Sequence, residues 1–201
     1  MNIIKLENEV VKVVNGDARE RKENRYSCSE IYSIINGWVT PEEFLKGETF
    51  NFNNAFKIWS GQQKHNMIEP LLKSIGYEVE VSQQQKINDS EIILSGRVDA
   101  MNEDSILELK TSLEAIGKAK KWSLYQVKLY CTLFKKPTGI IYEPVMRVEM
   151  KLNKIGIPKR EVTEFYLKEI GRVERNDKWF DNQMEKLLEF HKEIIKLKNQ
   201  K

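Results

Sequence analysis

Two short apolar segments near the middle of the chain, Ile92–Met101 and Ser105–Ser112, constrain its fold more than any other feature. Only Asn102, Glu103 and Asp104 separate them. Two strands joined this closely form an antiparallel hairpin, here turning at Glu103–Asp104. Side chains alternate across a strand, so Glu108 and Lys110 share one face while Leu107, Leu109 and Thr111 take the other. In that hairpin Asp99 lies opposite Glu108 on the same face. Directly opposed Cβ atoms are roughly 4.5–5.5 Å apart. Two carboxylates that close, with an ammonium beside them, suit a hard divalent cation and a phosphate. Charges alternating with aliphatic residues also mark any half-solvated hairpin, so the discrimination has to come from the rest of the chain.

Composition narrows the classes. The 201 residues are enough for one sizeable domain, and 40% hydrophobic with 31% charged residues describes an ordinary water-soluble chain slightly rich in charge. A net charge of +3 does not by itself announce a nucleic-acid binder, although a basic patch beside an acidic site gives the same sum. Cys28 and Cys131 are far apart and cannot alone hold a zinc or iron–sulfur site. They do not indicate a disulfide-dependent secreted protein. The opening MNIIKLENEV carries charges at Lys5, Glu7 and Glu9 and lacks the apolar core of a signal peptide. No apolar run approaches the length of a membrane span. The expectation is a cytoplasmic protein with no membrane partner.

There is no internal repeat, low-complexity linker or composition break, so residues 1–201 are read as a single domain. A Val-rich stretch within residues 1–14 fits a short strand, and residues 15–25 are polar, a loop or an exposed helix start. Ser27 and Ser29 are N-cap candidates for a helix through Ile31, Tyr32, Ile34 and Ile35, closed by Gly37. Thr40-Pro41-Glu42-Glu43 reads as a second helix start, with proline at the first helical position. Residues 53–75 carry a helical pattern that stops at Gly76 and that Pro70 should kink or split. Residues 77–86 alternate as a strand. After the hairpin come a helix over 118–134, a strand bent at Pro144 over 138–152, a further strand over 164–170, and an amphipathic helix over 177–198 with a basic outer face. On this helix His191 is read as a surface residue. The element order gives a mixed α/β layer with helices on a central sheet.

Four features line up in one order. Gly61-Gln62-Gln63-Lys64-His65 stands on a helix ahead of the strands, and Gly96-Arg97-Val98-Asp99 closes one strand. Glu108-Leu109-Lys110-Thr111 lies on the next, and Gln126-Val127-Lys128-Leu129-Tyr130 on the following helix. This pattern resembles the PD-(D/E)XK nuclease superfamily, specifically its RecB-like branch with a helix His, a GxxD strand, an ExK strand and a QxxxY helix. The resemblance spans roughly residues 27–145, within a motif core of about 50–152. It implies a restriction-endonuclease-like fold, a central mixed sheet flanked by helices.

The resemblance also implies roles. Asp99 and Glu108 would ligate Mg²⁺ or Mn²⁺ through carboxylate oxygens, with the backbone carbonyl of Leu109 as a further ligand. His65 matches the branch's metal-ligating His, and an imidazole biases a site towards Mn²⁺. Lys110 would orient or help deprotonate the attacking water and contact the scissile phosphate. Gln126 and Tyr130 would bind the backbone near that phosphate or buttress the site. Glu69, one turn from His65, is a second-layer candidate or a surface charge. Lys118, Lys120 and Lys121, followed by Trp122 and Tyr125, form either a phosphate-and-base contact surface or a solvated helix start. Several RecB-like nucleases carry four cysteines for an iron–sulfur cluster. Two cysteines cannot supply it, so no cluster is expected.

The chemistry needs these residue types independently. Phosphodiester hydrolysis builds negative charge on a pentacoordinate phosphorus, which a metal and an ammonium stabilise. The reading is therefore a metal-dependent deoxyribonuclease acting on DNA, with single-stranded or end-containing DNA favoured on the strength of the branch. The rivals are a structure-selective or double-strand endonuclease of junction-resolvase type, and a catalytically silent DNA-binding subunit on the same fold. A symmetric homo-oligomer would favour paired cuts.

Overall fold

The structure, a computed structural model, describes residues 24–46, 52–111, 117–152 and 157–200, together with 11 and 155. The expected strand within residues 1–14, apart from Val11, and the polar segment up to residue 23 lie outside the described residues.

The first described strand, β1 (Arg25–Ser27), runs straight into helix α1 (Cys28–Ile35). Ser27 is the N-cap, forming a capping box with Glu30, and Gly37 adopts a left-handed φ of 70° just past the helix end. Helix α2 (Pro41–Lys46) starts on a second reciprocal cap between Thr40 and Glu43. Helix α3 (Phe52–Ser74) passes through Pro70 without splitting, which leaves the kink as the remaining expectation. The proline removes one backbone donor, but Ile68 and Leu72 on either side of it are both packed against the sheet and hold the last turns in place. Gly76, at φ 91°, ends it, and the Tyr77 N–H bonds back to the Leu72 carbonyl at 3.1 Å.

Then follow β2 (Glu78–Lys86), β3 (Ile93–Met101), β4 (Ser105–Leu109), α4 (Lys121–Leu133), β5 (Thr138–Leu152), β6 (Pro158–Glu174) and α5 (Asp177–Asn199). The result is a six-stranded mixed sheet flanked by helices. Strand β3 is its hub. It pairs antiparallel with β2 along its length, from Ile93↔Lys86 to Met101↔Glu78. On β4 it has only two partners, Ala100↔Leu107 and Met101↔Ile106, and on β1 it pairs in parallel only through Ile93–Ser95. Between these short ladders β3 and β4 part. Strand β4 then runs parallel to β5, and β5 antiparallel to β6.

Alternation along β4 sends Ile106 to one apolar cluster and Leu107 and Leu109 to another. The larger cluster is built with α1, α4 and α5, through residues such as Ile31, Leu129, Leu133 and Leu187. The smaller is covered by α3 through Ile68 and Leu72. His191, read from sequence as a helix-surface residue, instead bonds the hydroxyl of fully buried Tyr26 at 2.8 Å.

Pro144 does not interrupt the strand: β5 is one strand of 15 residues, with register shifts at Ile141/Tyr142 and Arg147/Val148. Its partner β6 is far longer than the 164–170 read from sequence. Strand β4 supports β5 only as far as Tyr142. From Glu143 outward, β5 pairs only with β6 among the described residues, making a two-stranded arm with exposed Met146, Val148, Met150 and Val162. No helix of the described residues is long and apolar enough to cross a membrane.

Candidate active site

The hairpin turns where the sequence places it. The Asn102 side chain accepts the N–H groups of Asp104 and Ser105 at 3.0 and 2.8 Å, and the Asn102 N–H bonds the Ser105 carbonyl at 3.0 Å. Just beyond the two ladder pairs Ala100↔Leu107 and Met101↔Ile106, backbone pairing stops. There Asp99 Oδ2 accepts the Leu109 N–H at 2.6 Å. A side-chain carboxylate thus takes over an amide that the neighbouring strand would otherwise hold.

Glu108 and Lys110 project from β4 and its extension into the same opening. Lys110 Nζ donates to Glu108 Oε1 at 2.7 Å and sits 5.1 Å from the centre of the Trp122 ring. The Lys110 N–H bonds the Tyr142 carbonyl at 2.9 Å, which fixes its backbone to β5. Glu108 is only 6% exposed, and its second oxygen, Oε2, is buried with no hydrogen-bond partner among the described residues. Burial pushes the Glu108 carboxyl up to about 7, against the pull of the Lys110 ammonium and with the charge of Asp99 adding to the rise.

Helix α3 brings in His65, whose Nδ1 lies 3.2 Å from Asp99 Oδ1. Burial opposes protonation of this imidazole, but the Asp99 hydrogen bond and charge outweigh it and hold its pKa above the ordinary value. Gly61 makes the close approach possible. Its carbonyl accepts the Thr111 hydroxyl at 3.3 Å, and a Cβ there would stand 3.3 Å from the same oxygen. Lys64 ties the same turn to the Thr111 carbonyl at 3.4 Å.

These groups line a cleft of about 770 Å³ whose walls include His65, Glu69, Glu80, Arg97, Asp99, Glu108, Leu109, Lys110, Lys120 and Trp122. Lys118 and Lys121 are exposed but outside that lining. Tyr125 is turned away, stacked edge-on against Trp179 and bonded to Gln183. Gln126 and Tyr130 are also outside it. They are 7% and 3% exposed, and the Gln126 side-chain amide donates to the Tyr130 hydroxyl at 2.7 Å. Tyr130 packs against Gly96, where a Cβ would meet its ring at 2.9 Å. The GxxD strand and the QxxxY helix are therefore in direct contact, and the glycine is what lets them close.

Glu80 was not singled out from the sequence. Its segment, Tyr77 to Ser82, reads as plain alternation with Glu80 on a solvated face. In the structure it takes a left-handed φ of 53°, pairs through Oε2 with Arg97 Nε at 3.0 Å, and lines the cleft. No sequence signal marks it, because the backbone twist at this position leaves no trace in residue type.

The donor set fits a hard divalent cation. Carboxylate oxygens converge with an imidazole, and a desolvated carboxylate oxygen without a partner is costly unless something positive satisfies it.

No protein-family model matches this sequence, and no curated protein matches it. Solved structures do. The protein SSO0001 aligns with a TM-score of 0.60 at 17% identity, over 94% of this chain and 86% of that one. An alkaline exonuclease from Laribacter hongkongensis aligns with a TM-score of 0.53 at 13% identity, over 96% and 97%. The same exonuclease in complex with dAMP gives 0.54. A phage-related exonuclease from Haemophilus somnus 129PT gives 0.52 at 14% identity, over 88% and 96%. The chain shares the fold of these exonucleases, a restriction-endonuclease-like central mixed sheet flanked by helices.

Proposed function

Because the chain has the fold of the PD-(D/E)XK nucleases, we propose that it is a metal-dependent deoxyribonuclease that hydrolyses DNA phosphodiester bonds. The observation that carries this reading is Glu108, a buried carboxylate with one oxygen on Lys110 and the other without a partner among the described residues, in a cleft it shares with Asp99 and His65.

Asp99, Glu108, the Leu109 carbonyl and His65 would hold Mg²⁺ or Mn²⁺. When bound, the ion supplies positive charge to the phosphate and lowers the pKa of water. The protein's own groups do the positioning. The Leu109 amide fixes the Asp99 carboxylate. Glu108 and the Trp122 face hold the Lys110 ammonium in the opening, where it would meet a scissile phosphate and the attacking water. Gln126 and Tyr130 are too buried to reach a phosphate, which supports the buttressing role for them. Lys120 and Trp122 offer a charge and a ring at the cleft wall for a phosphate and a base. Two proteins sharing the fold are exonucleases, one of them solved with dAMP, and this supports end-containing DNA as the substrate.

The test is incubation with circular and linear, single- and double-stranded DNA, with Mg²⁺, Mn²⁺ or chelator. The expected result is metal-dependent degradation of linear DNA that chelator stops. Cutting of a closed single-stranded circle would convert the reading to an endonuclease. Full activity in chelator, or no cleavage with either metal, would overturn the metal-dependent assignment.

A further inference from the structure

We propose that the β5–β6 arm is a dimerisation element, whose apolar face packs on the same face of a second copy of this chain across a two-fold axis. The proposal goes beyond the nuclease reading and does not depend on it. The sorting of side chains carries it. Both faces of the outer arm meet solvent, yet they differ in kind. On one lie Met146, Val148, Met150 and Leu152 of β5 with Val162 and Phe165 of β6, all between 42% and 70% exposed. On the other, Arg147 pairs with Glu164 at 2.9 Å and Lys151 with Glu161 at 3.2 Å. Such alternation marks a strand pair with one face covered and one in water. Val162 and Phe165 are three residues apart and would fall on opposite faces of a regular strand. The register shift at Arg147/Val148 leaves Thr163 opposite no residue of β5, so that Phe165 meets Met146 and Val162 meets Val148. This bulge keeps both side chains on the apolar face.

Area and charge point to a second copy as the occupant. Six side chains of this size and exposure leave on the order of 600 Å² open, at the upper end of what a monomer shows to water. Two such faces together reach the ~1,200 Å² at which specific, stable interfaces begin. The face also carries opposite charges at its two ends. Arg160 stands across from Met150 near the tip, and Glu169 across from Tyr142 at the base, where Arg172 holds it at 2.7 Å. A two-fold axis through the middle of the face lays the tip of one arm over the base of the other. Arg160 of each copy then meets Glu169 of the partner subunit, and the contact is self-complementary. At the base, Tyr142 and Leu167 already pack against the smaller apolar cluster under α3, so the partner's tip extends an existing core. Nucleic acid suits this face poorly, because Arg147, Lys151 and Lys159 lie on the opposite one. A two-stranded arm is marginal alone, and a second arm supplies the layer it lacks.

The experiment is sedimentation velocity of the full chain over a dilution series. Wild type should be a dimer that dissociates on dilution, and the amides of the arm should lose protection from deuterium exchange as it does so. Val148→Glu places a charge at the centre of the face and should weaken association by a factor of about 100 or more. Glu149→Gln, on the opposite face, should leave association unchanged. Arg160→Glu and Glu169→Arg should each weaken self-association about tenfold, since like charges then meet twice across the axis. An equimolar mixture of these two should associate as wild type does, because both contacts are again between opposite charges. This mixture keeps the test decisive should Val148→Glu fail to fold. A wild type that is monomeric at every concentration would overturn the proposal. So would a folded Val148→Glu that dimerises as wild type does, or a mixture that associates no more tightly than either variant alone.

Discussion

The Asp99 carboxylate and the Leu109 amide are 2.6 Å apart, and this bond stands at the fork where β3 and β4 separate. The fork is what makes the site. Had the ladder continued, Asp99 and Glu108 would flank a closed sheet with no opening between them. One oxygen of Asp99 is spent on holding the fork, and the other faces His65.

Replacing Asp99 should therefore separate ligation from architecture. Asp99→Asn keeps an acceptor for the Leu109 N–H, whereas Asp99→Ala leaves that amide without its partner. Both should lose cleavage by a factor on the order of 10² or more. The alanine variant should be less stable than the asparagine variant by about 1–3 kcal/mol in urea unfolding. Equal stabilities would mean that the amide finds another acceptor and that Asp99 does not hold the fork.

Lys110 calls for the opposite pattern. Lys110→Met keeps a stem to pack on Trp122 and removes the ammonium. Cleavage should fall by a factor on the order of 10² or more, while Mn²⁺ binding by calorimetry is retained, since the competing cation has gone. Loss of metal binding in a folded variant would make Lys110 a structural element of the ion site rather than the group that meets phosphate and water.

The pH dependence follows from Glu108. Its folded pKa, about 7, lies above its ordinary 4.5, so the folded state holds this proton more tightly than the unfolded state does. That contribution is complete below 4.5 and is lost as pH rises towards 7, so the metal-free protein should become less stable across this window. An ion that needs the carboxylate must expel the proton. Mn²⁺ binding at pH 6 should therefore release close to one proton from Glu108, and at pH 8.5 almost none. Calorimetry in buffers of different ionisation heat, on a His65→Ala background that removes the other titrating ligand, measures this, and proton release that is the same at both pH values would rule out Glu108 as the titrating ligand.

For DNA, affinity should fall steeply with salt because phosphate contacts release counterions. Lys120 lines the cleft, and Lys118 and Lys121 are exposed beside it. Neutralising all three should flatten the salt slope without changing Mn²⁺ affinity. An unchanged slope in fluorescence anisotropy titrations would mark this run as an ordinary solvated helix start.

Much of this was legible in the residues. The hairpin was readable because its alternation, its short polar turn and its flanking apolar runs all agree, and the starts of the first two helices were readable from the cap candidates at Ser27 and Ser29 and from Thr40-Pro41. The meeting of His65 with Asp99 needed the motif order, because 33 intervening residues carry no distance information. Helical spacing put Gln126 and Tyr130 on one face but left open whether they meet the phosphate or pack behind the site, since it does not say which way a face points. Strand β1 was missed because three residues are too few to show a period. Glu80 was missed for a different reason. A left-handed residue inside an apparently regular Val-Glu-Val run changes the strand's facing without changing its composition.

The β5–β6 arm has a consequence for where the molecule opens. Two strands without a third gain little independent stability, and the outer face of this pair is largely solvent-exposed. Opening of residues beyond Glu143 should cost far less than opening of the sheet, so their amides should exchange with solvent deuterium well ahead of those in β3 and β4. Tyr142 is the boundary. Its carbonyl still holds the Lys110 N–H, while the strand residues after it pair, among the described residues, with β6 alone. The arm can therefore fray and re-form on its own timescale while Lys110 remains anchored on the last fully supported step of the strand.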